Sequence, residues 1–209
     1  IQDKGLQKEF YKKNNIPTPD YYLINTKDEI KNYLDEFPFF QKLRKGGYDG
    51  KGVYKLQNKN DLPNAFDAPC VLEKLIDLKK EISVIVARNT NGEIKTFPVV
   101  DCEFNTKANL VEFLYSPSEM GSEIEHKAQN IAYDVAEKLQ IVGILAVEMF
   151  VTKNNEVLVN EIAPRPHNSG HHTIEANITS QYEQHLRAIL NLPLGQTNTL
   201  QPAVMINIL

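Results

Sequence analysis

The chain has 209 residues, 42% hydrophobic and 24% charged, which is enough apolar material for one large domain or two small lobes and too much for a disordered tail. Its 23 Lys and Arg against 27 Asp and Glu leave a formal charge of −4, so nothing attracts nucleic acid or an anionic membrane in general, and an anionic ligand has to be caught locally. Cys70 and Cys102 are the only cysteines and lack CxxC spacing, which argues against a disulfide framework or structural zinc and for a reducing cytoplasm.

The first residue is Ile1, and "IQDKGLQKEF" reads as the entry to a helix rather than a targeting peptide, which suggests a piece of a longer chain. Asp3 is placed to cap that helix, with Leu6 and Phe10 as its apolar positions, and "NNIPTP" ends it before the extended run "YYLI". A second helix is expected over 27–36. "PFFQKLR" then reads as a strand entering a glycine-rich segment at 46–52, with another strand at "VYKL". After an irregular stretch from Pro63 to Pro69, "CVLEKLI" and "EISVIVAR" read as strands, and Asn91-Gly92 turns the chain into "EIKTFPVV". The spacing Ile124, Ala128, Ile131, Val135, Leu139 predicts an amphipathic helix of about five turns, packed on the hairpin that follows. A last helix is expected near 179–190 with Leu186 and Leu190 inward, then "AVMINIL" as a strand. The longest apolar stretch, Val142 to Val151, is broken by Glu148 and falls well short of the roughly 18 residues of a membrane span.

The segment "GILAVEMFVTKNNEVLVNEI" predicts a hairpin with a two-residue Asn154-Asn155 turn, which needs positive φ at both central residues and makes Lys153 and Glu156 the closing pair. Counting outward in step from that pair brings Glu148 opposite Glu161, with Cβ atoms about 4.5–5.5 Å apart on one face. Opposed carboxylates repel, and a divalent cation resolves the conflict; magnesium takes one or two carboxylates and completes its shell with water and phosphate oxygens. By strict alternation Asn160 falls on the other face, unless the strand is ending there. The plain alternative is two solvent-facing glutamates in another register.

Residues 44–52, "RKGGYDGKG", hold four glycines, so backbone amides there can approach a polyanion closely. The loop is not a Walker loop, because Lys51 is followed by glycine and no helix follows, nor is it a dinucleotide fingerprint. A long hairpin turn on Asp49-Gly50 remains the alternative. Lys42, inside the preceding strand, is placed to neutralise phosphate. His167, His171 and His172 are candidate metal ligands only if "PHNSG" is helical, and Ser169 lacks the elbow of a nucleophilic serine.

Taken in order, the lysine strand, "GGYDGKG", "EKLI", the paired glutamates and "NEIAPRPHNSGHH" resemble the ATP-grasp superfamily. Within it, the resemblance is to the N5-carboxyaminoimidazole ribonucleotide synthetases, the ATPase subunits of phosphoribosylaminoimidazole carboxylase, and it runs from about Lys4 to Leu209. It implies an α+β fold of two lobes, 1–77 and 78–209, with mostly antiparallel sheets gripping ATP between them, and it implies that the family's N-terminal Rossmann-like and C-terminal domains lie outside this chain. It also implies an ATP-dependent ligase of purine biosynthesis that makes carboxyphosphate from bicarbonate and carboxylates aminoimidazole ribonucleotide.

Roles follow from the same resemblance. Lys4 and Lys42 would hold ATP phosphates under a flap formed by Gly47, Tyr48, Asp49, Gly50, Lys51 and Gly52. Glu73, Lys74, Leu75 and Ile76 would line the adenine, and Glu81 would take the ribose hydroxyls. Glu148 and Glu161 would hold magnesium with Asn160 beside them. Arg165, between two prolines, would grip bicarbonate and carboxyphosphate through its planar guanidinium, and Arg88 would be a further contact to phosphate or bicarbonate. His167, Asn168, Ser169 and Gly170 would shape the aminoimidazole ribonucleotide site. Phe104 stands where the family often has histidine. A cytoplasmic enzyme is expected, homodimeric at full length, with neither nucleic-acid nor membrane partners. The alternatives are a nucleotide-binding module without full catalysis and another carboxylate–amine ligase of the superfamily.

Overall fold

A computed structural model describes residues 2–47, 52–105 and 110–208. The chain divides into two compact units, the first ending at Asp77 and the second beginning at Leu78, with Leu110 grouped in the first.

In the first unit, helix α1 (Lys4–Lys13) begins where the Asp3 carboxylate accepts the Gly5 and Leu6 amides at 2.8 and 3.1 Å. The face it buries corrects the apolar reading: Gly5, Gln7, Lys8 and Tyr11 turn inward and Leu6 is exposed. Two contacts fix that choice. Lys8 is drawn in by a buried carboxylate, and Gly5 lies under Arg44, whose Nε would meet an added Cβ at 2.5 Å. Strands β1 (Tyr21–Ile24), β2 (Phe39–Leu43), β3 (Val53–Leu56) and β4 (Cys70–Lys74) form an antiparallel sheet in the order β1-β4-β2-β3. One face packs Ile24, Phe39, Leu56, Cys70 and Leu72 against Ile30 of the 27–36 segment, which is a kinked 3-10 helix rather than an α-helix. Strand β4 ends at Lys74, two residues before the expected Ile76.

The second unit is built on strands β5 (Leu78–Arg88), β6 (Ile94–Thr96), β7 (Val100–Asn105), β8 (Leu110–Ser116), β9 (Gly143–Thr152), β10 (Val157–Ala163) and β11 (Ala203–Ile206). They pair antiparallel in the order β10-β9-β5-β7-β8-β11, with β6 also on β5. Strand β8 escaped the sequence reading, and it is the partner of the terminal strand β11. Helix α2 (Ser122–Leu139) packs chiefly on β5 and β6, and less on the β9–β10 hairpin that was expected to receive it. It does so through Ile124, Ala128, Ala132, Val135 and Ala136, the small alanines allowing a close approach. A short helix α3 (Thr173–Ala176) leads into α4 (Gln181–Ile189), where the expected face is reversed: Leu186 and Leu190 are 54% and 65% exposed, while Gln181, Gln184 and Ala188 are buried. Polar partners set that orientation, since Gln184 bonds the carbonyl and amide of Gly195 at 3.1 and 2.8 Å. Among the described residues no helix is long and apolar enough to cross a membrane.

The β9–β10 hairpin reaches the expected pairing by another route. Its turn is one residue longer than a two-residue turn, closed by the Thr152 amide on the Glu156 carbonyl at 2.9 Å, and only Asn155 takes positive φ, at 61°. From Val151 opposite Val157, that register alone would put Glu148 against Asn160. A bulge between Val159 and Glu161 absorbs the surplus residue, and Glu148 faces Glu161 after all.

Candidate functional site

The first unit contributes a buried cluster of charges. Glu73 on β4 faces Phe40 of β2, so Glu73 and Lys42 share a face of the sheet, and α1 lays Lys8 over that face. Lys42 Nζ donates to Glu73 Oε1 at 2.6 Å, and Lys8 Nζ lies 2.5 Å from Glu73 Oε2 and 2.5 Å from the Thr18 hydroxyl. Burial works to raise the Glu73 carboxyl, but Lys42 and Lys8 together overcome it and hold the group below the usual range. Its carboxylate bridges the two lysines. Alternation turns Lys74 to the opposite face, where Nζ pairs with Glu36 at 2.6 Å and lies 5.1 Å over the Phe39 ring. Leu75 and Ile76 follow the end of the β4 ladder and are half-buried. Lys4 opens α1 with its amide on the Arg44 carbonyl at 2.9 Å, and Arg44 in turn grips Asp3 with Nε and a terminal nitrogen at 2.8 and 3.0 Å. Of the flap, Gly47 and Gly52 are described; Gly52 sits at φ 81° with its carbonyl accepting from Leu43, and an added Cβ would fall 3.1 Å from Gly47. Tyr48, Asp49, Gly50 and Lys51 lie outside the described residues.

In the second unit three strands line up a polar row. Ser83 of β5 is opposite Glu148 of β9, which is opposite Glu161 of β10, so the three side chains share a face. One step along, Glu81 is opposite Phe150 and, across β7, opposite Cys102. The Cys102 thiol is pushed well up by burial and by the carboxylates of Glu148, Glu81 and Asp101, which makes it unreactive. Asn160 and Glu161 are both half-exposed, because the bulge breaks the alternation that was expected to separate them.

Beyond β10 the chain bends at Pro164, with the Arg165 amide on the Ala163 carbonyl at 3.0 Å, and returns over this row. Arg165 is exposed, and its guanidinium donates to the carbonyl of its neighbour Pro166 at 3.0 Å. His167 folds back so that Nε2 stands 3.2 Å from Glu148 Oε1. Its Nδ1 meets Ser169 Oγ at 2.9 Å, and Ser169 Oγ meets Ser83 Oγ at 2.8 Å. Asn168, Ser169 and Gly170 form one 3-10 turn, with Gly170 so close to Gln181 that a Cβ would come within 2.5 Å of its amide oxygen.

Sequence reasoning missed Gln181, whose buried amide accepts from the His167 amide at 2.9 Å and donates to the His167 carbonyl at 2.8 Å. It also missed Lys8 and Ser83. None of the three carries an apolar periodicity; the only available signal was a polar residue recurring on the inward side of its own element.

The structure does not bring Arg88 to this row. Arg88 stands five residues beyond Ser83 on β5, about 17 Å at the usual strand rise, and on the opposite face. Its guanidinium is engaged with the carbonyls of Ile141 and Asn89 at 3.3 and 3.4 Å, so it takes no part in the row. Of the histidines, His171 stacks on Tyr182 and His172 is buried, and no cluster of three or more His, Cys, Asp or Glu suited to a metal occurs among the described residues. What the row does offer is oxygen, two opposed carboxylates and an amide on one half-exposed face, a donor set that fits a hard divalent cation such as magnesium.

A model of the ATP-grasp domain matches residues 9–182. The N5-carboxyaminoimidazole ribonucleotide synthase of Bacillus subtilis is 40% identical over the whole chain, which covers 56% of that protein. Among solved structures, the N5-carboxyaminoimidazole ribonucleotide synthetase of Thermotoga maritima is 48% identical with a TM-score of 0.87, over 100% of this chain and 54% of that one. The Aspergillus clavatus synthase, solved with ADP and 5-aminoimidazole ribonucleotide, is 32% identical with a TM-score of 0.90, over 100% and 57%. The chain thus spans about half the length of the relatives it matches. Since the family match runs through Lys42 and Glu73, the paired glutamates and the loop that returns over them, the chain belongs to the ATP-grasp family.

Proposed function

We propose that this chain supplies the nucleotide-binding and carboxyphosphate-forming part of an N5-carboxyaminoimidazole ribonucleotide synthase. The observation that carries the reading is the row Ser83–Glu148–Glu161 with the loop of Arg165 and His167 folded back onto it. The named relatives support it, one of them binding ADP and 5-aminoimidazole ribonucleotide. Lys42 and Lys4 hold ATP phosphates, with Glu73 orienting Lys42. The backbone at Leu75 and Ile76 meets the adenine, and Glu81 accepts the ribose hydroxyls. Glu148 and Glu161, with Asn160, would hold magnesium, which supplies charge neutralisation for a transferring phosphoryl group.

A bicarbonate oxygen attacks the γ-phosphorus of ATP, the bond to the ADP oxygen breaks, and carboxyphosphate forms. The exocyclic amine of aminoimidazole ribonucleotide then attacks its carbonyl carbon and inorganic phosphate leaves. Arg165 serves both steps: its planar fork matches bicarbonate first and the acyl phosphate afterwards. The loop residues His167, Asn168, Ser169 and Gly170 border the second substrate. Most of the catalytic gain in this scheme is positioning and charge stabilisation.

The test is ADP formation and carboxylated product in the full-length protein, with each co-substrate withheld in turn and with Glu161→Gln beside the parent. ADP release that requires bicarbonate, and product that requires aminoimidazole ribonucleotide and disappears in Glu161→Gln, are expected. Turnover indifferent to bicarbonate would overturn the reading.

A further inference from the structure

With His167 neutral, one direction of donation satisfies its contacts with Ser169 and Glu148 together. The backbone N–H of Ser169 points at His167 Nδ1, at 3.3 Å, and caps the short turn there. A backbone N–H can only donate, so Nδ1 is bare and accepts. In a neutral imidazole the proton then sits on Nε2, and Nε2 is the atom that stands 3.2 Å from Glu148 Oε1, an acceptor. The two ends of the ring agree.

The direction extends inward. Ser169 Oγ, at 2.9 Å, shares that lone pair with the backbone N–H when its one proton points to Nδ1. The 2.8 Å contact between Ser169 Oγ and Ser83 Oγ must then be donated by Ser83. Ser83 is fully buried in β5, directly opposite Glu148, so the file starts on one strand, passes through the loop and ends on the carboxylate of the neighbouring strand. Each donor polarises the next, so the members reinforce one another.

We infer that Ser83 is a positioning residue which, through Ser169, fixes His167 in the tautomer protonated at Nε2, so that the ring meets Glu148 and any anion bound beside it as a hydrogen-bond donor. This deepens the proposed function and rests on it for its meaning in catalysis. His167 steadies a carboxylate or an acyl-phosphate oxygen through Nε2, and removal of a proton from the substrate amine falls to another group.

Long-range proton–nitrogen correlations in 15N-histidine-labelled protein, without substrate, read the tautomer directly, with His167 assigned by its loss in His167→Gln. The parent is expected to show a bare Nδ1 and a protonated Nε2. In Ser83→Ala the Ser169 hydroxyl loses its donor and becomes free to accept from Nδ1, so the preference for the Nε2 form should fall by about tenfold, the worth of one net hydrogen bond. Ser83→Thr, which keeps the hydroxyl, should restore it. If Ser83→Ala fails to fold, Ser83→Cys, with a weaker donor in the same place, should shift the preference the same way by less. A Nδ1-protonated parent, or ring nitrogens unchanged in the alanine variant, would overturn the inference. Because the measurement needs no turnover, its failure would leave the carboxylation reading standing, and failure of the carboxylation assay would leave the tautomer result intact.

Discussion

The side-chain amide of Gln181 clasps the backbone of His167 from both sides, accepting its N–H at 2.9 Å and donating to its carbonyl at 2.8 Å. A residue at the start of α4 thereby sets the height of the loop that carries Arg165 and His167. Gln181→Leu leaves two backbone groups without these partners, at about 1–3 kcal/mol each where they stay dry. A loss of about 2–4 kcal/mol in urea unfolding is expected, together with weaker binding of the second substrate. Unchanged stability would mean that water replaces the amide at no cost.

Glu73 is the shared counterion of Lys8 and Lys42, and Glu73→Gln keeps its shape while removing its charge. Uncompensated buried ammonium groups cost about 3–5 kcal/mol. The pH dependence has a definite sign. The folded carboxyl titrates below its ordinary value of 4.5, so its contribution is complete above that value and is lost as pH falls through the lower folded one. The gap between parent and variant in urea should therefore narrow in acid, and a gap independent of pH would show that Glu73 is not ionised.

His172 also costs stability toward acid, but for a different reason. Burial pushes it down from 6.5 to about 4, with the Ser169 backbone pulling weakly the other way. Between those values the unfolded chain binds a proton that the folded chain refuses, so stability falls as pH drops from 6.5 toward 4, by on the order of 3 kcal/mol in full. Urea titrations across that interval should show a flatter slope in His172→Leu than in the parent; parallel slopes would place the His172 ring in water.

Arg165→Lys separates coupling from nucleotide binding. The lysine keeps the charge and loses the planar pair of donors. In the full-length protein, ATP affinity is expected to stay within about threefold, or ~0.7 kcal/mol, while carboxylated product per ADP released declines. If affinity falls as far as product, Arg165 is a ligand of the nucleotide phosphates.

Apolar patterning revealed most strands, because alternation and turn residues report burial directly. It failed where polar groups do the packing. Lys8 is buried and Leu6 exposed because a carboxylate lies under one side of α1; Gln181 and Gln184 displace Leu186 and Leu190 because loop carbonyls and amides wait beneath α4. Hydrophobic periodicity has no term for a hydrogen-bonded interior. The loop motif was legible in residue type and the glutamate pair in the count from the turn, whereas Arg88, a weaker candidate from the start, lies on the other face from that row.

The surplus residue at Asn160 divides the hairpin into two lengths that keep separate count. In an unbroken ladder, adding one residue at the tip would carry every later side chain to the other face. Here the slip travels only from Val157 to Val159 and stops, so Glu161, Ile162 and Ala163 keep their partners. The tip is thus open to evolutionary change in length, provided the bulge gains or loses the matching residue. Homologous chains should accept insertions and deletions at these two places in compensating pairs, and a single unmatched one should be purged.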